Sequence, residues 1–381
     1  DLVTARFLIA AVLVAILAAA MPFLPRPEGA ALTLYGLTLL MVGAGTRWVH
    51  LGLERTRLVA IARTAGEALM ALLVLATVRS PGDLLRVPLA QFLGDALAAL
   101  LLLAALHRLG HPLALRLRTA RVLPLFRESA PLVASALLGL MIFNSDLIML
   151  RLFRDAAAVG YYAAAYTLIS FILNLGVAYS QSLLPTLTRT GREGGDARRL
   201  YHTAAAQCFA VGLPIAAGGT LVAPEIIGRV FGDGYADAAL ALAILIWSIP
   251  LSLIREVATV ALMVAARQRD VLRLTGAAAV LNILLNLLLI PRWGIPGAAA
   301  STLVTEGVRM AAALAFARAG GFPLPGAARL WRAAVATLAM AGLVIALRPA
   351  VVWIGIAAGA LGYALALAIV GGLRFRRGAL P

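Results

Sequence analysis

Long apolar stretches and short polar connections alternate along the whole chain. Each stretch holds about 20 residues or more, enough for a helix to cross a hydrocarbon core of about 30 Å. The apolar runs are continuous, which disfavours a β-barrel, and the backbone polar groups of a spanning segment must be satisfied internally. We therefore predict an all-α polytopic membrane protein with twelve transmembrane helices, at residues 5–24, 30–49, 58–78, 84–106, 128–150, 157–184, 200–224, 237–265, 271–290, 297–317, 330–347 and 351–372.

The composition supports this prediction and excludes several other classes of protein. Of 381 residues, 62% are hydrophobic and 13% are charged, unlike a soluble domain of this size. The sequence contains no lysine, so it has neither a Walker A motif nor a Schiff-base residue. Its histidines are not arranged as a zinc site. With no catalytic cluster evident, we expect a protein that is not an enzyme and has no bound cofactor.

The basic residues are distributed unevenly between the connections. All 33 Lys+Arg residues are arginine, and most lie in every second connection, at 47–63, 108–127, 189–199, 267–273 and 318–332, and in the tail 374–377. By the positive-inside rule these connections and both chain ends are cytoplasmic. Such arginines also attract anionic headgroups, so membrane lipids explain the net charge of +16 and no nucleic-acid partner is needed.

The chain begins at Asp1, without an initiator methionine or a signal-peptide cleavage pattern, and enters a span almost at once. We therefore expect a fragment that lacks N-terminal sequence. The single cysteine, Cys208, falls inside a span. No intramolecular disulfide is expected, and a small core residue is favoured over a reactive thiol.

An internal repeat organises the spans. Residues 55–100 resemble residues 267–314, since both run as a basic loop, a span, a Pro/Gly turn and a second span. An even number of spans separates the copies, which predicts a parallel repeat and two six-helix lobes with a pseudo-twofold axis along the membrane normal. The predicted domains are the last four helices of the N-terminal lobe, whose first two helices are missing (1–106), a basic cytoplasmic linker (107–127), the C-terminal six-helix lobe (128–317), and an appended helix pair with a basic tail (318–381). Gly355 and Gly359 form a GxxxG face in that pair, which we expect to serve internal packing.

Polar side chains at membrane depth are the candidate functional residues, because they are costly there unless they face a cavity or a partner. Asp146 in span five is either a residue that reaches toward the interface or a ligand of a cation or substrate. Asn282 and Asn286 in span nine share one helix face. They either hold helices together or offer carbonyl oxygens to a hard cation such as Na⁺.

Spans eight and ten combine arginine with glutamate. In span ten, Thr302, Glu306 and Arg309 form a polar stripe, in which Glu306 and Arg309 either neutralise each other or leave Arg309 facing a lumen. Arg255 and Glu256 are neighbours in span eight and diverge by about 100° around the helix, so we expect them not to pair. Arg255 is the best candidate for a lumen-facing cation, because guanidinium stays charged when desolvated and binds phosphate through several donors.

Two acidic residues fall in the predicted N-terminal lobe. Glu67 lies in span three and Asp95 in span four, at the place that matches Glu306 in the repeat. We expect both to face the lumen or to serve as partners of Arg255 and Arg309.

Two stretches are the most distinctive in the sequence: FNSDLIMLRLFRDAAAVGYYAAAYTL (143–168) and RQRDVLRLTGAAAVLNILLNLLLIPRWGIPGAAASTLVTE (267–306). They resemble the seventh helix, turn and eighth helix, and the eleventh and twelfth helices, of the polysaccharide and O-antigen flippases in the multidrug/oligosaccharidyl-lipid/polysaccharide exporter superfamily. The resemblance covers nearly the whole chain. It implies 14 helices in the full protein and two lobes around a cavity that opens alternately to either side.

The resemblance also implies a function and its residues. The cargo would be an undecaprenyl-pyrophosphate-linked oligosaccharide, flipped to the periplasmic leaflet of the bacterial inner membrane for polysaccharide, O-antigen (lipopolysaccharide) or capsule biosynthesis. Substrate-binding residues would be Arg255 and Arg309, which hold the anionic headgroup, with Glu67, Asp95 and Glu306 tuning the cavity or carrying protons.

A sodium site is implied as well. In the related lipid II flippases such a site joins a seventh-helix Asp, two eleventh-helix polar residues four apart and a twelfth-helix Thr. Asp146, Asn282, Asn286 and Thr302 occupy comparable places here. The second eleventh-helix ligand is acidic in that pattern, whereas Asn286 is neutral. Na⁺ or H⁺ is the expected coupling ion.

Two other transport functions stay open. A lipid II flippase for peptidoglycan would share the fold and differ only in its cargo. A cation-coupled multidrug exporter would favour an acidic cavity, against which the two arginines argue. Expected partners are the lipid-linked glycan, membrane lipids, and the polysaccharide polymerase and chain-length machinery, and the protein is expected to be a monomer.

Overall fold

The computed structural model describes residues 1–25, 28–53, 55–110, 119–192, 196–323, 330–347 and 352–371. Within these ranges the regular structure is entirely helical. The middle of the predicted linker, 111–118, and the basic tail beyond 371 lie outside the described residues. The prediction of an all-α protein is therefore confirmed for the part of the chain that is described.

The α-helices follow one another with short connections. Six belong wholly or partly to the first half of the chain: α1 (Leu2–Ala20), α2 (Glu28–Ala44), α3 (Arg47–Gly52), α4 (Thr56–Thr77), α5 (Arg86–Arg108) and α6 (Thr119–Phe153). Eight follow: α7 (Ala156–Arg192), α8 (Ala197–Leu221), α9 (Ala223–Phe231), α10 (Ala238–Leu245), α11 (Ser248–Val264), α12 (Gln268–Ala319), α13 (Trp331–Leu347) and α14 (Val352–Ile369). Helix α6 begins at Thr119, so the end of the predicted linker is helical.

Nine helices among the described residues are long and apolar enough to cross a membrane. One of the nine is α12, which holds two of the predicted spans, and α13 is apolar but has only 17 residues. The protein is thus a multi-pass membrane protein, while the count of twelve spans stays a prediction.

Helix α12 is a hairpin rather than one rod. Its 52 residues would measure about 78 Å if straight, far more than a bilayer core. The helix turns at Gly294, whose φ of 58° and ψ of −128° lie in a region that favours glycine, between Pro291 and Pro296. Beyond the turn, the Ser301 hydroxyl donates to the backbone oxygen of Asn282 at 3.3 Å. The two halves therefore run side by side, as the Pro/Gly turn predicts.

Predicted span eight corresponds to one apolar segment, Ala238–Val264, in which α10 and α11 are joined by a short irregular turn near Trp247. Pro250 lies in the first turn of α11 and has no N–H to donate to the carbonyl four residues earlier, so it cannot continue the ladder from α10. Helix α11 packs against α7, α8 and α12. Most of its residues are buried, so a charged side chain on α11 must find a partner or a cavity.

The chain divides into two compact units, the first ending at Pro131 and the second beginning at Leu132. Whether these are the two lobes of a repeat stays a prediction. In the first unit, α4 and α5 pack with their backbones in contact. A Cβ at Gly66 would lie 2.5 Å from the Gly94 oxygen, and one at Gly94 would lie 2.6 Å from the Gly66 oxygen. Such small-residue crossings are a common way for helices to associate in lipid.

The turn between α4 and α5 is stabilised by Asp83. Its carboxylate accepts from the backbone N–H groups of Arg79 and Ser80, both at 3.1 Å, and pairs with Arg86 at 3.0 Å. The hydrogen bond from the Arg79 backbone is the main reason that the pKa of Asp83 lies below its usual range.

In the second unit, α13 and α14 pack against each other, and α13 also packs against α8. Gly355 and Gly359 are buried, and a Cβ at Gly359 would lie 3.1 Å from the Val344 side chain of α13. The prediction that this GxxxG face serves internal packing is confirmed.

Candidate functional site

Asp146 is the centre of a polar cluster inside the second unit. Its side chain is buried, with 2% of the residue exposed. One carboxylate oxygen accepts from Tyr162 Oη at 2.6 Å and from Thr302 Oγ1 at 2.5 Å. The other accepts from Asn286 Nδ2 at 2.5 Å. Asp146 is therefore held by three donors from α7 and α12 and does not reach toward a surface.

Asn282 and Asn286 complete this cluster from one face of α12. Asn286 Nδ2 also donates to Asn282 Oδ1 at 3.2 Å, and the Ser145 hydroxyl donates to the same oxygen at 2.6 Å. Within the described residues, Asn286 Oδ1 is buried without a hydrogen-bond partner. All four residues of the predicted sodium site thus lie together, although their role as ion ligands stays a prediction.

The donor set fits a hard monovalent cation. It offers the Asp146 carboxylate, the Asn282 amide oxygen and the Thr302 hydroxyl, which are oxygen ligands that suit hard cations. Asn286 presents Nδ2 to Asp146, so its amide would have to turn to offer Oδ1 as a further ligand. The unpaired Asn286 Oδ1 is an acceptor that a cation would satisfy. One carboxylate in the cluster gives it a single negative charge, which matches a monovalent ion better than a divalent one.

Sequence reasoning missed two members of this cluster, Ser145 and Tyr162. Tyr162, with 1% of the residue exposed, donates to Asp146 and lies 3.1 Å from Thr302 Oγ1. It is brought back beside Asp146 because the chain reverses after α6, where Asp155 caps the start of α7 by accepting from the Ala158 N–H at 2.8 Å. The YYAAAY motif was a visible signal, but nothing in the sequence separates Tyr162 from a core tyrosine.

A second cluster is centred on Glu306. One carboxylate oxygen accepts from Ser252 Oγ at 2.8 Å and from Arg255 Nε at 3.0 Å. The other accepts from Arg309 on the next turn of α12. Arg255 and Arg309 are 13% and 12% exposed. The predicted polar stripe of span ten therefore contains an internal ion pair and, through Arg255, a bridge to α11.

The prediction that Arg255 and Glu256 do not pair is wrong. Arg255 Nη1 donates to Glu256 Oε1 at 2.8 Å while its Nε bonds to Glu306. Adjacent helical side chains leave the helix in different directions, but the Arg255 side chain is long and its planar guanidinium presents donors on two edges. The acidic partners of Arg255 and Arg309 are thus Glu256 and Glu306.

Both clusters line one cavity of about 210 Å³. The lining includes Asp146 and Thr302 from the first cluster and Arg255, Glu306 and Arg309 from the second. Two arginines, two glutamates and one aspartate thus line the same partly open cavity, where charges interact more strongly than in bulk water. Six of the predicted site residues therefore line this one cavity: Arg255, Arg309, Glu306, Asp146, Asn282 and Thr302.

Glu67 and Asp95 lie in the first unit. They line a separate cavity of about 550 Å³ together with the side chains of Arg6, Arg47 and Arg63. Asp95 accepts from Gln91 at 3.3 Å, and Glu67 pairs with Arg63 at 3.8 Å across side chains that are more than half exposed. Their predicted role toward the substrate stays a prediction.

Arg154 connects the two parts of the chain that build the Asp146 cluster. It lies just beyond α6 and donates to the carbonyl oxygens of Ile290 at 3.4 Å and Pro291 at 3.0 Å. These carbonyls lie about one turn after Asn286 and just before Gly294, where the backbone of α12 leaves helical φ/ψ. The pattern of the sequence does not single out Arg154.

Comparison with known proteins agrees with this architecture. Residues 4–190 match the model of the family described as "Polysaccharide biosynthesis protein". The probable flippase AglR of Haloferax volcanii is 28% identical over 168 residues, which cover 42% of this chain and 34% of the relative. The chain thus spans about a third of that relative's length.

A solved structure shares the fold. The lipid II flippase MurJ, in an inward-closed conformation, matches with a TM-score of 0.78 at 10% identity, and the match covers 97% of this chain and 83% of that one. At this identity the likeness shows the fold alone. The family model, the relative and the fold together confirm the resemblance to polysaccharide and lipid-linked oligosaccharide flippases.

Proposed function

We propose that this chain belongs to the polysaccharide and lipid-linked oligosaccharide flippases that it resembles, and that it moves an undecaprenyl-pyrophosphate-linked oligosaccharide from the cytoplasmic to the periplasmic leaflet. The proposal is supported by the family description, by the relative that is named a probable flippase, and by the fold of a lipid II flippase. The glycan would then serve polysaccharide, O-antigen or capsule biosynthesis in a bacterial inner membrane.

One observation carries the proposal: two arginines of buried helices line a polar cavity at Glu306. A pyrophosphate headgroup is an anion with several acceptor oxygens, and guanidinium groups bind such anions through more than one donor. Arg255 and Arg309 are the residues we assign to headgroup binding, with Glu306 beside them. Charged groups at membrane depth are costly, so their retention in a cavity favours a substrate path.

The Asp146 cluster is our candidate for the coupling ion. Asp146, Asn282, Asn286 and Thr302 would hold Na⁺ as the coupling ion, or Asp146 would carry H⁺. Because this cluster lines the same cavity as Arg255 and Arg309, an ion bound there would change the electrostatic potential at the headgroup site. We propose a secondary transporter in which the ion and the cargo move in opposite directions, and the shared cavity supports coupling between them.

The cavity chemistry ranks the competing cargoes. Organic cations, the cargo of a multidrug exporter, would be repelled by Arg255 and Arg309 wherever their acidic partners are displaced. Lipid II carries the same pyrophosphate linkage as the proposed cargo, so it would satisfy the same arginines, and only a direct assay separates the two glycans.

The remaining parts of the proposal concern the protein as a whole. We propose a transporter without catalytic activity, a monomer with both chain ends in the cytoplasm, and association with membrane lipids and with the polysaccharide polymerase and chain-length machinery. Glu67 and Asp95 are proposed as substrate-facing acids of the first unit, since they line its cavity.

The test replaces Arg255 with alanine and measures leaflet translocation of a fluorescent undecaprenyl-pyrophosphate oligosaccharide in proteoliposomes. We expect translocation to be lost while the protein still unfolds cooperatively on heating. Arg292→Ala is the matched control, because Arg292 is exposed and donates to Leu288 of its own helix at 2.9 Å. Normal translocation by folded Arg255→Ala would refute the assignment.

A further inference from the structure

Glu306 occupies the headgroup site as an anion would. Its carboxylate accepts hydrogen bonds from the Ser252 hydroxyl and the Arg255 guanidinium, both on α11. It also accepts one from the Arg309 guanidinium on α12. Two guanidinium groups and a hydroxyl are the same donors that a phosphate group would seek. The arginines that we assign to headgroup binding are therefore already engaged by a carboxylate of the chain itself.

We infer that Glu306 is a built-in competitor of the cargo: its carboxylate holds Arg255 and Arg309 until a phosphate group of the cargo displaces it. The inference rests on the proposed function and deepens it, since it names the contact that headgroup binding must break. It also gives the empty transporter a way to keep two arginines paired within the membrane, where unpaired charge is costly.

The site has donors that Glu306 does not use. In the part of the chain that the structure describes, Arg309 Nε and Thr305 Oγ1 are buried without hydrogen-bond partners, and both residues line the cavity. A carboxylate has two oxygens, whereas a pyrophosphate has more and can accept from these groups as well. Displacement of Glu306 by a phosphate would therefore satisfy donors that are now unpaired.

The charge balance explains why the competitor matters for transport. Arg255 and Arg309 are matched in number by Glu256 and Glu306, so the cluster is neutral while its internal pairs are closed. Removal of Glu306 from the arginines leaves a positive site for a dianion. A transporter must release its cargo, and a carboxylate that returns to the arginines weakens binding enough for release, as multi-site pathways require.

The experiment measures binding of inorganic pyrophosphate to the purified protein in lipid nanodiscs by isothermal titration calorimetry. We expect Glu306→Gln to bind pyrophosphate about tenfold more tightly than the wild type, or better, because a hydrogen bond to a charged group is worth about that factor. Glu256→Gln is the matched control. It removes one partner of Arg255 but leaves Glu306 on both arginines, so its gain should be clearly smaller.

A second readout separates competition from a merely structural role. Glu306→Gln should bind pyrophosphate tightly but flip a lipid-linked oligosaccharide more slowly than the wild type, because release loses its competitor. A merely structural defect would weaken both pyrophosphate binding and flipping. If Glu306→Gln fails to fold, pyrophosphate binding is measured on Glu306→Asp instead. This variant keeps the charge but withdraws the carboxylate from the arginines by one methylene, so it should also bind pyrophosphate more tightly than the wild type.

The outcomes are distinguishable. The competitor role is overturned if folded Glu306→Gln, or Glu306→Asp in its place, binds pyrophosphate no more tightly than the wild type. The proposed function stays intact in that case if Arg255→Ala still loses pyrophosphate binding. Pyrophosphate binding by Arg255→Ala at the wild-type level overturns the headgroup site and the competitor with it. If neither the wild type nor either Glu306 variant binds pyrophosphate, the headgroup site and the competitor role are likewise both overturned.

Discussion

Replacing Asn286 with aspartate places a second carboxylate against Asp146. Asn286 Nδ2 now donates to Asp146 Oδ1 at 2.5 Å, so the substitution turns a hydrogen bond into a contact between two anions. Two unit charges about 4 Å apart repel by about 4 kcal/mol at an effective dielectric constant of 20. A bound cation would remove most of this repulsion.

We therefore expect Asn286→Asp to lower the unfolding temperature by roughly 10 °C in Na⁺-free buffer at neutral pH, and Na⁺ to restore it. The assay is thermal unfolding of purified protein, with Na⁺ exchanged for an inert organic cation at constant ionic strength. Asn144→Asp is the matched control, since Asn144 is exposed and donates to Leu140 of its own helix at 2.8 Å. The reasoning fails if Asn286→Asp is as stable as Asn144→Asp without Na⁺ and shows no greater response to the ion.

Two further substitutions test how the helices are positioned. Arg154→Ala should lose about 1–3 kcal/mol of unfolding free energy and weaken the Na⁺ response of the unfolding temperature, because the α12 turn loses its hydrogen bond from Arg154. Replacement of the exposed Arg292 with alanine should change neither quantity. Equal behaviour of the two variants would contradict this role. Gly94→Ala should cost about 1–3 kcal/mol because its Cβ would lie 2.6 Å from the Gly66 oxygen, and Gly160→Ala, which meets nothing within 4 Å, is the control. Chemical denaturation monitored by fluorescence measures both, and a harmless Gly94→Ala would show that the α4–α5 crossing tolerates separation.

Much of the fold follows from the hydrophobic pattern because a bilayer leaves few choices for an apolar stretch of this length. The Pro/Gly run after Ile290 predicts a turn, and the structure makes it at Gly294. Predicted span eight agrees with the apolar segment Ala238–Val264, but the irregular turn inside it was not predicted. Pro250 signals it, but proline within membrane helices is common enough that its effect depends on how neighbouring helices satisfy the freed carbonyls.

The candidate site could be predicted in its residue types but not in its connections. Spacing on one helix groups Asn282 with Asn286 and Glu306 with Arg309, because it depends only on the helical repeat. The bonds of Asp146 to Tyr162 and of Arg255 to Glu306 join different helices, so they depend on packing that a single sequence does not reveal. The error over Arg255 came from treating a long flexible side chain as if its direction at Cβ decided its partners.

The central claim is gradient-driven flipping of a lipid-linked oligosaccharide, and one measurement tests it most directly. Leaflet translocation of a fluorescent undecaprenyl-pyrophosphate oligosaccharide is followed in proteoliposomes containing the wild-type protein, with no gradient, with a Na⁺ gradient and with a pH gradient. Net accumulation in one leaflet that depends on one of these gradients is the predicted result, and it identifies the ion. No translocation of the labelled lipid under any gradient, together with efflux of a cationic dye by the same vesicles, would contradict the account.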